Sequence, residues 1–321
     1  MPFSVPSDAR SWVEVKADSH FPIQNLPFGL AAPKGQSESV AVAIGDQALL
    51  LLPLAEAGLI DEEEFPGLES FLELTHETIS ALREVVYDLL RADNTRLRDN
   101  KKLRERALIH QGKANMQVPV APTSFVDFYS GIHHASNVGR MFRPDQPPLL
   151  PNYRNLPVAY NGRASSVVAS GTSIIRPKGQ TKGPDQEHPH FAPTLEMDFE
   201  LELGYYISHG QDMGKRITCA SAEEHILGLL LVNDWSARDI QFWEGQPLGP
   251  FLGKSFATGV SPWVVPLEAL ESARVAPPPQ DPEPLGYLQT TGDTALDLAL
   301  EVDLNGTVIS RPPFAGMYWT A

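Results

Sequence analysis

The chain has 321 residues, 42% of them hydrophobic and 20% charged, with a formal net charge of -15. This is the composition of a globular chain able to bury a large core, and the acidic excess argues against nucleic acid or an anionic membrane surface as partner. One cysteine, Cys219, leaves no internal disulfide and suits a reducing compartment. No apolar run approaches the ~18 residues of a membrane span. The N-terminus lacks the basic-then-apolar order of a signal peptide, so a cytoplasmic protein is expected.

Residues 1–118 read as a separate small domain. An apolar strand over 40–44 is turned by Gly45-Asp46 into a second strand over 47–52, a hairpin pattern. Within 78–90, Ile79, Leu82, Val85, Val86 and Leu89 fall at helical spacing. A further helix is expected over 94–109, with Leu97, Leu103 and Leu108 among basic side chains. Asp99 and Glu105 interleave with those bases, so that helix reads as a solvated face and not as a nucleic-acid surface. Pro119 and Pro122 then favour an extended connector, dividing the chain into 1–118 and 119–321.

The second part is strand-rich. Strands are expected over 165–168, 174–175, 199–207, 263–265 and 296–304, with loops over 178–193 and 276–284. Asn305-Gly306 has the chemistry of a type I′ turn between two strands. Strands with few helices indicate an α+β, mainly β fold.

Three stretches in this part carry reactive side chains. Residues 126–143 hold Asp127, Tyr129, His133, His134 and Arg143. Histidine exchanges a proton near neutral pH, and arginine with tyrosine suits a carboxylate. A helix start capped by Ser130 or Asp127, with incidental histidines, fits the same residues. In 195–207 the alternation of apolar and acidic residues predicts a strand whose Glu200 and Glu202 point the same way, about 7 Å apart. Like charges so placed either face water or share a hard cation. In 226–259 an apolar run ends at Asp234, and Arg238, Gln241, Lys254 and Thr258 follow around a loop rich in Gly and Pro. A buried carboxylate is costly unless something positive meets it, although a surface loop after a core strand has a similar composition.

The wording of these stretches resembles the fumarylacetoacetase family, which performs the last step of tyrosine and phenylalanine breakdown. The matching pieces include FPIQNLPFG at 21–29, DFYS at 127–130, HASNVG at 134–139, LPVAYNGRASSVV at 156–168, ELE at 200–202, NDWSARDIQ at 233–241, PLGPFLGKSF at 247–256 and MYWT at 317–320. They span nearly the whole chain. The resemblance implies an SH3-like N-terminal domain with attached helices and a catalytic domain built as a mixed β-sandwich roll. It implies hydrolysis of the carbon–carbon bond of 4-fumarylacetoacetate, a dianionic β-diketone, to fumarate and acetoacetate, by a homodimer. By that resemblance Asp127, Glu200, Glu202 and Asp234 hold Mg²⁺ or Ca²⁺, with Lys254 and Thr258 in the same metal site. His134 matches the general base, and Tyr129, Arg143, Tyr160 and Gln241 match substrate contacts. Arg238 adds positive potential nearby.

Three departures from the family pattern stand out. Asn161 replaces a usual histidine, Gly245 replaces a usual substrate-facing tyrosine, and the sequence stops at Ala321, short of the family's C-terminal stretch. The missing stretch would carry the glutamate that orients the catalytic histidine, so a poorly stable chain with little activity is expected. The alternatives are a sibling oxo-acid hydrolase or decarboxylase, and an inactive metal-binding fragment.

Overall fold

The apolar runs on either side of Gly45 pair as expected. The computed structural model describes residues 3–71, 74–119 and 121–320; Val120 of the expected connector lies outside them. Strands β1 (Phe28–Ala31), β2 (Ser39–Ile44) and β3 (Gln47–Leu50) are followed by a single helical turn, α1 (Leu52–Ala55). Helices α2 (His76–Leu90) and α3 (Lys101–Ala107) come next, and β4 (Leu108–His110) and β5 (Met116–Gln117) complete an antiparallel sheet of order β4-β3-β2-β1-β5. Strand β2 is buried along its whole length, and its alternation sorts two layers. Val40, Val42 and Ile44 face the cluster that α2 enters through Ile79, Leu82, Val86 and Leu89. Ala41 and Ala43 face Trp263. Thr75 caps α2 by accepting from Thr78 N at 3.2 Å.

The helix expected over 94–109 is much shorter. Asn100 accepts from Leu103 N and starts α3 only there, the residues before it form turns, and Leu108 and Ile109 leave the helix to pair with Leu49 and Ala48 of β3. Ladder bonds along the open edge of β3 outweigh a helical propensity of a few tenths of a kcal/mol per residue.

In the second part, β6 (Val126–Phe128) precedes α4 (Ile132–Phe142) and pairs with β7 (Ala159–Asn161). Helix α4 starts at Gly131 with no side-chain cap, in place of the cap expected from Ser130 or Asp127. Strands β8 (Val167–Ala169), β9 (Lys178–Thr181), β10 (His190–Pro193), β11 (Met197–Asp198), β12 (Leu201–Ile207), β13 (Ile226–Asp234) and β14 (Ser236–Ala237) follow. Then come α5 (Arg238–Glu244), α6 (Leu252–Ser255), β15 (Thr258–Val260), β16 (Arg274–Val275), β17 (Ala295–Leu296), β18 (Val302–Leu304) and β19 (Thr307–Ser310). The central sheet has the order β12-β13-β15-β8, and β15 pairs parallel with β8.

Several expectations change here. Residues 178–193, expected as a loop, form the β9–β10 hairpin. Residues 174–175, expected as a strand, are unpaired, and Ile175 is 86% exposed. The expected strand over 296–304 splits between β17, which pairs with β16, and β18, which pairs with β19. The turn between β18 and β19 is as expected: Asn305 and Gly306 have φ of 53° and 81°, the left-handed values a type I′ turn requires. The architecture is α+β and mainly β. No helix among the described residues is long and apolar enough to cross a membrane.

Residues 263–265 tie the two parts together. Phe28 and Val264 exchange both backbone hydrogen bonds, at 2.8 and 2.7 Å, and so do Leu229 and Val265, at 2.8 and 2.7 Å. One core cluster accordingly runs from Phe28 and Val40 through α2 to Leu230, Val232 and Val264. Arg83 of α2 adds a polar tie. It is 1% exposed, meets Glu268 at 3.2 Å, and donates to the carbonyls of Phe3, Gln24 and Asn25. Ser80 donates to the other Glu268 oxygen. Truncating one partner of a buried pair leaves the other charge uncompensated, at a cost of about 3–5 kcal/mol. Arg83→Ala is therefore expected to lower the urea midpoint sharply. A midpoint within error of the wild type would show that this pair does not hold the two parts together.

A candidate metal and catalytic site

The register of the central sheet builds one wall of the site. Glu200, just before β12, exchanges backbone hydrogen bonds with Asp234 at 3.1 Å in both directions, and Asp234 lies opposite Thr258 of β15. Glu200, Asp234 and Thr258 thus stand in a row across neighbouring strands, where side chains meet directly. Glu202 lies two residues beyond Glu200 and so shares its face of the strand. The other wall is the β6–β7 hairpin, in which Asp127 lies opposite Tyr160. One oxygen from each of Asp127, Glu200, Glu202 and Asp234 falls within 4.8 Å of the others.

Two cations are fastened to this cluster. Lys254, only 6% exposed, places Nζ 2.6 Å from Glu200 Oε2 and 2.6 Å from Asp234 Oδ2. Arg238 reaches Glu200 Oε1 through Nη2 at 2.7 Å and Asp198 Oδ2 through Nε at 2.7 Å. Four carboxylates in the cluster against these two cations leave a formal excess of two negative charges, which one divalent ion would offset. An all-oxygen donor set of this charge fits a hard cation.

The electrostatics agree with that fit. Burial pushes the Asp127 carboxyl up to about 7, and Asp234 and Glu200 push the same way. Burial, then Asp127 and Asp234, hold Glu202 well above the ordinary carboxylate value. Burial also tends to raise Glu200, but the hydrogen bond to His134 and the charges of Lys254 and Arg238 outweigh it and hold Glu200 ionised. Burial tends to lower Lys254, and Glu200 and Asp234 reverse the effect.

A pH dependence follows. Below about pH 7 the empty cluster holds a proton on Asp127, and the raised Glu202 carboxyl favours a second; an entering cation must displace them. Cation affinity should climb about tenfold per pH unit for each displaced proton, and the Asp127 share of that climb should end near pH 7. Folding carries the opposite sign. A carboxyl whose folded value lies above the unfolded value of about 3.9 adds stability below that value, and this is lost as pH rises through about 7. Magnesium titration by calorimetry between about pH 5.5 and 7.5 reads the linkage; a flat affinity would contradict it.

The remaining candidate residues surround the cluster. His134 Nε2 lies 3.4 Å from Glu200 Oε1, and its ring meets Tyr129 edge-on at 5.4 Å. His133 is exposed. Tyr160 donates to Asp234 Oδ2 at 3.2 Å and also bonds Asp127. Gln241 accepts from Arg238 Nη1 at 3.0 Å. Thr258 Oγ1 is 3.5 Å from Asp234 Oδ1. Arg143 stands apart from the carboxylates. It donates to Pro148 O at 3.2 Å, and its buried Nε has no protein partner. Asp127, Tyr129, His134, Arg143, Tyr160 and Lys254 all line one open cavity of ≈ 2820 Å³. Burial, followed by Glu200, pushes the Tyr129 phenol up to about 12, so it remains a donor at neutral pH.

Sequence reasoning missed the Asp198 anchor of Arg238, although Asp198 shares the alternating acidic face with Glu200 and Glu202. It also missed Glu244, whose signal was only an acid before a Gly-Pro loop.

The fold and the cluster define a mainly β protein with a largely buried group of four carboxylates, fit to hold a cation, beside an accessible histidine. Comparison with known proteins makes the class specific. Residues 24–119 match the family described as "Fumarylacetoacetase N-terminal" and residues 123–321 match "Fumarylacetoacetate (FAA) hydrolase C-terminal". A fumarylacetoacetase of Arabidopsis thaliana is 44% identical over 326 residues, covering 97% of this chain and 77% of that protein. A fumarylacetoacetase of Bos taurus is 45% identical over 324 residues, with coverage of 97% and 77%. Among solved structures, a fumarylacetoacetate hydrolase of psychrophilic Exiguobacterium antarcticum aligns at TM-score 0.49 and 17% identity, over 91% of this chain and 77% of that one. The chain belongs to the fumarylacetoacetate hydrolase family.

Proposed function

We propose that this chain hydrolyses the carbon–carbon bond of 4-fumarylacetoacetate to fumarate and acetoacetate, with Mg²⁺ or Ca²⁺ held by Asp127, Glu200, Glu202 and Asp234. The observation that carries the proposal is the convergence of these carboxylates within 4.8 Å, with His134 at their edge. A bound divalent ion would supply Lewis-acid stabilisation of the charge that develops on the diketone oxygens.

The chain's own groups supply the rest. His134 takes a proton from water, and the resulting hydroxide adds to the carbonyl carbon next to the alkene. The bond to the acetoacetate carbon then breaks. Its electron pair leaves with that carbon, which takes up the proton that His134 removed from the water, and fumarate remains with the new oxygen. Glu200, held ionised, orients the imidazole through Nε2 and stabilises the cation formed on it. Arg143 and Tyr129 suit the substrate's carboxylates, because the Arg143 Nε is buried without a protein partner and Tyr129 is a protonated donor. Tyr160, bonded to Asp234 and Asp127, and Gln241, bonded to Arg238, complete the substrate contacts beside the cluster. Lys254 and Arg238 offset local negative charge, so that a dianion can enter an acidic protein.

The test is to chelate the purified chain, restore magnesium or calcium, and follow loss of diketone absorbance with identification of both products. No turnover with either ion would refute the proposal, and turnover of a different oxo-acid would point to a sibling activity. The same reading assigns the chemistry to residues 119–321, leaves 1–118 as a packing domain, and includes a cytoplasmic homodimer without nucleic-acid or membrane partners. The exposed apolar side chains of Phe191, Leu195 and Leu248 offer surface for the second subunit. Sedimentation at the monomer mass would remove the dimer from it.

A further inference from the structure

Lys254 touches two of the four clustered carboxylates, yet its own backbone has little to hold it. It sits in α6, a single turn, and one turn of helix is not stable on its own, because nucleation fixes several residues for one hydrogen bond. Phe251 at the N-cap position makes no side-chain cap. The first N–H groups of a helix have no intrahelical acceptor and must find one elsewhere.

Glu244, the last residue of α5, supplies it. The side chain reaches back across the loop over 245–251, and Oε1 accepts from Phe251 N at 3.0 Å and from Gly253 N at 2.6 Å. Gly249 N closes the same loop on Gly245 O at 2.8 Å. Gly253 presses directly on α5: a Cβ there would lie 2.7 Å from Gln241 N and 2.8 Å from its Cα, so no side chain fits between the two helices. Helix α5 also carries Arg238, which holds Glu200 through Nη2 at 2.7 Å. Thus α5 meets the carboxylates twice, once directly through Arg238 and once through Glu244, α6 and Lys254.

We propose that Glu244 is a positioning residue: its carboxylate clasps the start of α6 to the end of α5 and so sets the Lys254 ammonium between Glu200 and Asp234. The proposal rests on reading the carboxylate cluster as a cation site. Lys254 occupies oxygens that a divalent ion would also use, so it tunes the cluster by competing for them. Glu200 and Asp234 are held by the ladder of the central sheet and keep their places without it. Release of the clasp therefore withdraws one positive charge from an otherwise intact set of ligands. Cation affinity should rise, while turnover of a dianionic substrate should fall. A residue needed only for folding would lower both together.

The experiment compares Glu244→Ala, Glu244→Gln, Glu244→Asp and Lys254→Ala with the wild-type chain by calorimetric titration with Mg²⁺ and with Ca²⁺, thermal melting, and steady-state hydrolysis of 4-fumarylacetoacetate. Glu244→Ala is expected to lower kcat on the order of tenfold or more and to tighten cation binding in the direction that Lys254→Ala does. Glu244→Gln keeps an acceptor oxygen and should recover most of both. Glu244→Asp keeps the charge but is one methylene shorter, so it should fall between them. It is also the variant to read if the alanine protein does not fold. Unchanged cation affinity and kcat in Glu244→Ala would overturn the proposal, as would cation binding lost in step with the melting temperature. The titration needs no substrate, so a wild type without turnover would sink the functional reading while leaving the clasp to be judged on cation affinity.

Discussion

Asp234→Ala is expected to reduce Mg²⁺ and Ca²⁺ affinity on the order of 10²-fold or more and to abolish turnover, since even partners behind a metal ligand are worth 10–100-fold. Asp234 is 1% exposed, accepts from Lys254 at 2.6 Å and from Tyr160 at 3.2 Å, and lies between Glu200 and Thr258 across the sheet. Its removal takes one of the four carboxylates from the cluster and leaves Lys254 with Glu200 alone. The effect on the fold should differ from the effect on the ion. Burial holds Asp234 above its ordinary value, and Glu200 adds to this against the opposing pull of Lys254. The fold therefore disfavours its charge in the empty site. Asp234→Asn, which keeps the shape and avoids the cavity of an alanine, should melt at or above the wild-type temperature once both proteins are chelated. It should fall behind when the cation is added. Calorimetry and melting curves read both effects. Calcium and magnesium affinities equal to wild type in Asp234→Ala would remove this residue from the ligand set.

His134→Ala is expected to cost about 10²-fold or more in rate, within the span of a lost general base, while cation binding survives. His134 contacts Glu200 at 3.4 Å, but Lys254 and Arg238 hold that carboxylate independently at 2.6 and 2.7 Å. The ligand should therefore stay in place when the imidazole goes. Both histidines of α4 are exposed, but only the His134 ring meets Glu200 and Tyr129. His133→Ala should be nearly silent. Steady-state rates on the two variants decide the assignment, and the reverse ranking would exchange the roles. A joint loss of rate and cation affinity in His134→Ala would instead make His134 part of the cluster's architecture.

Much of the site was legible before the fold, because its signals are local. The period of two through Asp198, Glu200 and Glu202 places acids on one face of an extended segment whatever it packs against. Asp234 at the end of the apolar run over 226–232 marks a buried carboxylate, and 1% exposure is what β13 gives it. The Asn305-Gly306 turn is set by residues that tolerate positive φ, and no tertiary contact was needed to find it.

Other features depend on partners far away in the chain. Helix α3 stops at Ala107 because Leu108 and Ile109 find the edge of β3, some 60 residues earlier, an acceptor row that propensity cannot see. Residues 178–193 carry the prolines and glycines of a loop, yet they pair as a hairpin, with Gly179 packed against Ile240 of α5. Residues 263–265 read as a strand in sequence, but only the fold shows that they bridge Phe28 on one side and Leu229 on the other.

By itself, then, the sequence determined which residues carry charge next to apolar runs, which face of each strand they occupy and where tight turns fall, because these depend on neighbours within a few positions. Only the tertiary structure decided that Asp127, on a hairpin of its own, meets Glu200, Glu202 and Asp234 within 4.8 Å. It gave Lys254 and Arg238, which the family resemblance had set beside these acids, their contacts with Glu200, and it brought Glu244 onto the backbone at the start of α6. The physical reason is that a pairing between charges distant in sequence is set by strand register and by the packing of α5 and α6. Both are collective properties of the core, and no local pattern of residues encodes either one.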